Sequence, residues 1–253
     1  MIRYVARDVK GALRKKYSLY YIIGMLILCI LANLSMICFR TIYGMNDGSF
    51  GQNLIIFAEG VFAIPYYSTI VIADIIFGKD YPDPHIKDGT TRRLHRWQIV
   101  LGKLVGSIIL GAIFFVAAVV IFFGVTLLFQ FQDGTIDWWT LGDFLEKAMV
   151  AMPLWVAGLS IGNMFLFLFD NKKNAFIWFY VLVLAIPRVI MFIAAEPFKN
   201  PVCTFISDKI LITPQFNALQ FYFTMDQGHD IVLGIVYTAI SCAIGMAAYY
   251  KRK

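Results

Sequence analysis

Long apolar runs alternate with short polar and charged intervals along this chain. A helix needs about 20 apolar residues to span the hydrocarbon core of a membrane. Six runs are long enough: residues 17–39, 54–77, 99–129, 148–169, 175–195 and 231–250. None of them alternates in polarity over about 10 residues, as a strand of a membrane barrel does. The pattern therefore predicts an all-α integral membrane protein with six transmembrane helices.

Residues 2–16 have the period of a helix with two faces. The basic face holds Arg3, Arg7, Lys10 and Arg14, and the apolar face holds Ile2, Val5, Val9 and Leu13. A helix with this pattern is typical of the membrane interface. We expect an amphipathic N-terminal helix, and a solvated basic leader is the alternative.

Composition supports a membrane location. Hydrophobic residues make up 60% of the chain and the mean hydropathy is +0.72, whereas soluble domains contain about 45–50% apolar residues. We therefore expect a multi-pass protein of the cell membrane. The whole chain is interpreted as one transmembrane domain, residues 1–253.

The distribution of Lys and Arg predicts the orientation. If both termini are cytoplasmic, the inner side receives six basic residues in the N-terminal segment, six in the first inner loop and its edge, two in the second inner loop and three at the C-terminal end, out of 22. Cytoplasmic loops carry an excess of Lys and Arg. The net charge of +6 is thus explained by topology and by attraction to lipid headgroups, and we expect no nucleic acid partner.

Two intervals between the runs are long enough to carry function. Residues 79–98 form the one substantial inner loop. Residues 196–229 lie outside and contain three prolines among many apolar residues. Short re-entrant or interfacial helices fit this outer segment, and a folded extracellular cap is the alternative.

No motif in the chain predicts catalysis. A phosphate-binding loop requires G-x-x-x-x-G-K-[ST], and neither Gly-Lys pair, at Gly78 or at Gly102, has that context. The three histidines form no H-E-x-x-H pair, and there is no G-x-S-x-G elbow. We expect no catalytic residue, no metal site and no directly bound cofactor.

Two ionisable residues lie at similar depth inside apolar runs, Glu59 in the second and Arg188 in the fifth. Charges at such depth are costly, and they usually pair or line a pathway. We hypothesise a Glu59 to Arg188 ion pair, either purely structural or involved in gating or substrate contact. Asp74 is expected only to reach the interface, and Pro187 is expected to break the backbone ladder of the fifth helix.

The first inner loop and its edges carry a recurring pattern of an aromatic residue, an acidic residue, Ile-Lys, a basic residue, Ile and Gly-Lys. Its positions here are Phe77, Asp80, Ile86, Lys87, Arg96, Ile99, Gly102 and Lys103. With six spans and an amphipathic N-terminal helix, the chain resembles the membrane subunits (permeases) of ATP-binding-cassette exporters of the second exporter class, also called type V. The resemblance covers the whole chain in topology and residues 77–103 in motif.

The resemblance implies a coupling helix in the loop, which docks into a cleft of a separate ATPase subunit. The residues it assigns to this contact are Asp80, Ile86, Lys87, Asp88, Arg92, Arg93, Leu94, Arg96 and Trp97. Charged side chains offer ion pairs, and Leu94 and Trp97 offer apolar anchors. A solvated basic loop that only obeys the charge rule is the alternative.

The partners implied are two cytosolic ATPase subunits, which bind ATP and magnesium, a second copy of the permease, and membrane lipid. The expected cargo is a hydrophobic or amphipathic peptide of the toxin or bacteriocin type, with lipids or drugs as alternative cargo. The alternative from another class is an accessory, structural or sensor membrane protein that transports nothing. A neighbouring gene for a soluble ATPase would distinguish the two functions.

Overall fold

The computed structural model describes residues 1–43, 62–78, 95–129, 138–195, 198–219 and 227–251. Within these ranges every regular element is helical. In chain order the helices are α1 (Ile2–Leu13), α2 (Lys16–Tyr43), α3 (Ala63–Phe77), α4 (Arg96–Phe129), α5 (Trp138–Leu168), α6 (Lys172–Ala194), α7 (Pro201–Lys209), α8 (Ile212–Ala218) and α9 (Gln227–Lys251). The prediction of an all-α protein is confirmed for this part of the chain.

Five helices, α2, α4, α5, α6 and α9, are long and apolar enough to cross a membrane. They correspond to five of the six predicted spans. The remaining span, 54–77, is represented by α3, which is apolar but has only 15 residues, and residues 54–61 lie outside the described ranges. The number six and the orientation of the termini therefore stay predictions.

Helix α5 begins at Trp138, well before the predicted span that starts at residue 148. The added turns carry an ion pair one helical turn apart, between Lys147 Nζ and Asp143 Oδ2 at 2.8 Å. Pairs at this spacing stabilise a helix. The first turns of α5 are therefore stabilised by charged residues and not by an apolar run. Hydropathy cannot detect turns of this kind.

Helix α5 is the centre of the bundle. In its most apolar stretch 67% of the residues are buried, against 17–22% in the four other candidate spans. Two small residues let neighbours approach closely: a Cβ on Gly234 of α9 would lie 2.7 Å from the backbone of Pro153, and a Cβ on Gly162 would lie 3.1 Å from Ile70 Cα of α3. Small residues at helix contacts are typical of membrane bundles.

Helix α6 contains one turn of π-helix, Val181–Ala185, directly before Pro187. Proline lacks an amide hydrogen and its ring collides with the carbonyl four residues back. A π-turn widens the backbone at that point and is a known way of accommodating such a disruption. The predicted break in the hydrogen-bond ladder at Pro187 is thus observed as the π-helical turn Val181–Ala185.

Helix α1 confirms the predicted helix with two faces, but much of its apolar face packs against protein. Val5 and Val9 are buried, together with Tyr4 and Ala12, in a cluster that includes residues of α3 and α4. Ile2 stays 84% exposed. The location of α1 at a membrane interface remains a prediction.

The described part of the outer segment is helical. In α8, Phe216 is buried and its ring lies 5.3 Å from that of Tyr66 and 6.3 Å from that of Trp155, between centroids. In α7, by contrast, Val202 and Phe205 are exposed. This part of the segment thus forms short helices with both buried and exposed apolar side chains, and both re-entrant helices and a folded outer cap stay predictions.

Candidate functional site

Three lysines from different parts of the chain converge on the last turn of α3. The hydrogen bonds run from Lys15 Nζ to Ile75 O (2.5 Å), from Lys103 Nζ to Ile76 O (3.3 Å) and from Lys172 Nζ to Gly78 O (3.3 Å). The last carbonyls of a helix have no partner within the helix, and they carry the negative end of its dipole. These three residues, the lysine cluster, therefore stabilise the point from which residues 79–94 depart.

Gly78 ends α3 with a positive φ of 54°, a conformation that glycine adopts without a steric penalty. Its N–H still bonds to Asp74 O. A Cβ at this position would collide with the Lys15 side chain. Glycine is thus favoured by the turn, and a larger residue would also force the flexible end of the Lys15 side chain to move.

Lys103 also forms a buried ion pair with Asp8 of α1. Lys103 Nζ lies 2.9 Å from Asp8 Oδ2, and the two side chains are 0% and 6% exposed. The ammonium group lies 5.5 Å from the ring centroids of both Tyr4 and Phe77, within the range of cation–π attraction. A charge so far from water requires such partners, because its desolvation is costly.

Gly102, next to Lys103, provides room for the Tyr4 ring. A Cβ on Gly102 would lie 2.9 Å from Tyr4 Cδ1 and Cε1, which is closer than real Cβ atoms come. The Gly-Lys pair of the recognised pattern therefore has a structural meaning: glycine admits the ring of α1, and lysine reaches Asp8. Together they fix α1 to the first turns of α4.

Asp74 pairs with Lys172 at the start of α6, with 2.5 Å between Asp74 Oδ1 and Lys172 Nζ. The sequence interpretation, that Asp74 only reaches the interface, missed this partner. Both side chains are partly exposed, so the free energy of the pair is modest. Its position nevertheless connects α3 to α6.

Arg96 and Trp97 are the only residues of the predicted coupling set that fall within the described ranges. Arg96 donates a hydrogen bond to Tyr250 O (3.0 Å) and its guanidinium carbon lies 5.7 Å from the Tyr250 ring centroid. Trp97 is exposed. The start of α4 is thus held by the end of α9, with an aromatic side chain free for contact beside it. The other predicted coupling residues, Asp80, Ile86, Lys87, Asp88, Arg92, Arg93 and Leu94, lie outside the described residues.

The hypothesis of an intramembrane ion pair is not tested, since Glu59 lies outside the described residues. Arg188 is exposed on α6, away from the lysine cluster. Among the described residues no group of three or more His, Cys, Asp or Glu side chains is placed to hold a metal ion.

Sequence reasoning singled out Phe77, Gly102 and Lys103, and the structure brings all three to one place. It missed the residues that complete the site: Tyr4, Asp8, Lys15 and Lys172. One signal was present. Asp8 is the single acid in a strongly basic helix, and an isolated acid among cations is a candidate for a specific partner.

An apolar cleft of about 400 Å³ lies between α2, α3, α4 and α5. Its wall is mostly aliphatic and also contains aromatic rings, among them Phe115, Phe122 and Trp155. A second cleft of about 260 Å³ shares Phe115 and Trp155 with the first. Clefts of this size and character suit apolar ligands.

No protein-family model matches the chain, and no curated protein matches it in sequence.

Proposed function

We propose that the chain is the transmembrane subunit of an ATP-driven exporter, similar to the type V membrane subunits that its loop pattern resembles. The observation that carries this proposal is the set of hydrogen bonds that hold the helices on both sides of residues 79–94. The lysine cluster holds the end of α3 to α1, α4 and α6, and Arg96 holds the start of α4 to α9. A force applied to the interval between them would reach five helices.

Helices held in this way suit rigid-body motion. Two ATPase subunits would grip residues 79–98 of two permease copies, and their closure on ATP and magnesium would move packed helices as units. This chain provides the contact and the pathway, and the partner supplies the hydrolysis. A loop on flexible stems would dissipate the same movement locally.

The cargo we propose is a hydrophobic or amphipathic peptide. The two neighbouring clefts have apolar walls that include aromatic rings, and such walls favour apolar side chains over charged ones. Lipids and drugs share this chemistry and are the alternative cargo. Both clefts are lined mostly by helices that are long and apolar enough to span a membrane, and this supports a proposal of cargo entry from the lipid phase.

Co-purification with the ATPase tests the coupling surface. We expect the double variant Arg92→Glu/Arg93→Glu to lose association and substrate-stimulated ATP hydrolysis, because both positions belong to the predicted contact. The matched control is Lys199→Glu/Lys209→Glu, which makes the same charge change on the side predicted to face outward. Arg96→Glu is measured separately because Arg96 also holds Tyr250.

Unchanged association and hydrolysis in Arg92→Glu/Arg93→Glu would refute the coupling assignment. Absence of any co-purifying or genetically neighbouring ATPase would favour an accessory or sensor protein instead. Loss of association in the control as well would indicate a general effect of negative charge.

A further inference from the structure

A groove runs between α1 and α4 on the surface of the bundle. Its volume is about 470 Å³, inside the ~300–1,000 Å³ usual for small-molecule sites. The apolar side chains along it include Ile2, Val5, Val9 and Leu13 of α1 and Val105 and Ile109 of α4. In a membrane protein such a surface is suited to an acyl chain.

One positively charged side chain lines this groove, and two more lie on the same side of α1. Lys10 is the only charged residue in the wall. Arg3 and Arg14 lie seven residues before it and four residues after it, which places all three on one side of the helix. All three side chains are exposed, and none has an ion-pair partner within the described part of the chain.

Two other cations of this region are held by protein. Arg7 contacts Asp8 (3.5 Å), and Lys15 bonds to the end of α3. Arg7 and Lys15 are thus held by protein, whereas Lys10, with Arg3 and Arg14 on the same side of the helix, is left at the rim of an apolar groove. A ligand that is apolar at one end and anionic at the other matches this arrangement.

The length of α4 allows the groove to lie at the depth of the lipid headgroups. Helix α4 has 34 residues, or about 51 Å at 1.5 Å per residue, whereas the hydrocarbon core is about 30 Å thick. Helix α1 packs beside the first turns of α4, through Asp8 and Lys103, where this excess length is available to reach the headgroup region. Cations at that level attract anionic lipids.

We propose that this groove is a specific site for an anionic phospholipid. One acyl chain lies along the exposed groove residues Ile2, Leu13 and Ile109. The phosphate group binds Lys10, and Arg3 and Arg14 add electrostatic attraction from either side of it along α1. The site is preformed, because the Asp8 to Lys103 pair fixes the helix that provides the cations. The proposal requires a membrane protein and is independent of what the protein transports.

Lipid-induced thermal stabilisation of the delipidated protein in detergent tests the site. We expect dioleoylphosphatidylglycerol to raise the melting temperature at concentrations at least tenfold lower than dioleoylphosphatidylcholine does. In Arg3→Gln/Lys10→Gln/Arg14→Gln this preference should disappear. The matched control, Lys173→Gln/Lys209→Gln/Lys251→Gln, removes three exposed positive charges elsewhere and should keep it.

A second pair of variants tests the acyl-chain groove. Ala6 lines the groove and is exposed, so Ala6→Trp fills it without disturbing the core, and we expect binding of the phosphatidylglycerol to weaken at least tenfold. Ala247→Trp, at an exposed position of α9, should bind as the parent does. Glycerol phosphate, which has the headgroup charge without acyl chains, should not stabilise either protein.

Three results would overturn the site: an unchanged lipid preference in the triple Gln variant, equal stabilisation by both lipids, or full stabilisation by glycerol phosphate. If the triple variant does not fold, Lys10→Gln and Lys10→Arg replace it. The Arg variant should retain the preference and the Gln variant should reduce it, and equal behaviour of the two would likewise refute the proposal.

Discussion

The charged side chain of Lys103 has no exposed surface. Its ion-pair partner, Asp8 of α1, lies 95 residues earlier in the sequence. Removing one member of a buried pair leaves an uncompensated charge, which costs about 3–5 kcal/mol. We therefore expect Lys103→Met and Asp8→Asn each to lower the free energy of unfolding by about this amount. Titration of the purified protein with sodium dodecyl sulfate measures the change.

The double variant Asp8→Leu/Lys103→Met tests whether the loss of stability comes from the interaction between the two residues or from each residue separately. Apolar replacement of both members of a buried pair is often neutral, so we expect the double variant to regain most of the lost stability. Additive losses would show that the two residues do not act on each other. The control is Arg3→Met, which removes an exposed cation from the same helix and should change stability little.

Asn33 contrasts with Lys103, because one of its buried polar atoms has no hydrogen-bond partner among the described residues. Its side chain is 0% exposed; Nδ2 bonds to Cys29 O (2.9 Å), while Oδ1 has no partner among the described residues. An unsatisfied buried acceptor costs about 1–3 kcal/mol. We expect Asn33→Leu to raise the free energy of unfolding by up to that amount.

Asn163→Leu is the matched control for Asn33→Leu. Asn163 is also buried, but its Nδ2 donates to Leu159 O (2.8 Å) and Ser107 Oγ (3.2 Å), so we expect the same substitution to destabilise the protein. Destabilisation by Asn33→Leu would contradict the assignment of an unmet acceptor. A variant that is more stable but has less of the activity proposed above would identify Asn33 as a residue kept for function.

At the scale of elements, the contact between α9 and α5 depends on glycine at one position and tolerates a larger residue at another. A Cβ on Gly234 would lie 2.7 Å from the backbone carbon and oxygen of Pro153, and backbone cannot move aside as a side chain can. We expect Gly234→Ala to separate the helices and lower the melting temperature by several degrees. Thermal unfolding in detergent measures this.

Gly245 of the same helix is the control. A Cβ there would lie 3.5 Å from Met164 Cα, an ordinary contact distance, and alanine is a better helix former than glycine. We expect Gly245→Ala to be neutral or stabilising. Equal behaviour of the two variants would mean that the close approach at Pro153 does not hold the helices together.

The sequence predicts these helices far better than their contacts. The apolar runs locate α2, α4, α6 and α9 within a few residues, because lipid requires continuous apolar surface along a span. The start of α5 is missed, since Asp143 and Lys147 interrupt the apolar pattern while supporting the helix. Hydropathy detects the part of a helix that is surrounded by an apolar environment. It does not detect turns of the same helix that extend beyond this environment and contain charged residues.

The candidate site is predictable only in part, for a related reason. Residues that face lipid and residues that face protein are both apolar, so hydropathy does not show which helices pack together. The pattern around the inner loop indicates Phe77 and Lys103. Their partners Asp8 and Lys172 are distant in sequence, and only the folded arrangement shows that they meet.

At the scale of the whole molecule, α3, α4, α6 and α9 pack around α5, α1 and α2 pack against α4, and the candidate spans other than α5 expose apolar surface on their other sides. The basic end of the bundle, which contains the lysine cluster, is where α3 ends, α4 begins and α9 ends. The lysines at this end interact with the end of α3, and they belong to the excess of Lys and Arg from which the orientation is predicted. The same residues thus connect packing to topology.

Cysteine labelling tests that orientation directly. In a background with Cys29, Cys38 and Cys242 replaced by Ala, Cys203 of α7 is the remaining thiol and is partly exposed. We expect a membrane-impermeant maleimide to label Cys203 in intact cells, because the excess of Lys and Arg places the opposite end of the bundle in the cytoplasm. Lys173→Cys, with Cys203 also replaced, should be labelled only after permeabilisation, since residue 173 lies at the basic end. The reverse pattern would show that the basic end faces outward and would remove the cytoplasmic docking site on which the proposed coupling depends, whereas the packing of Lys103 on Asp8 would stand unchanged.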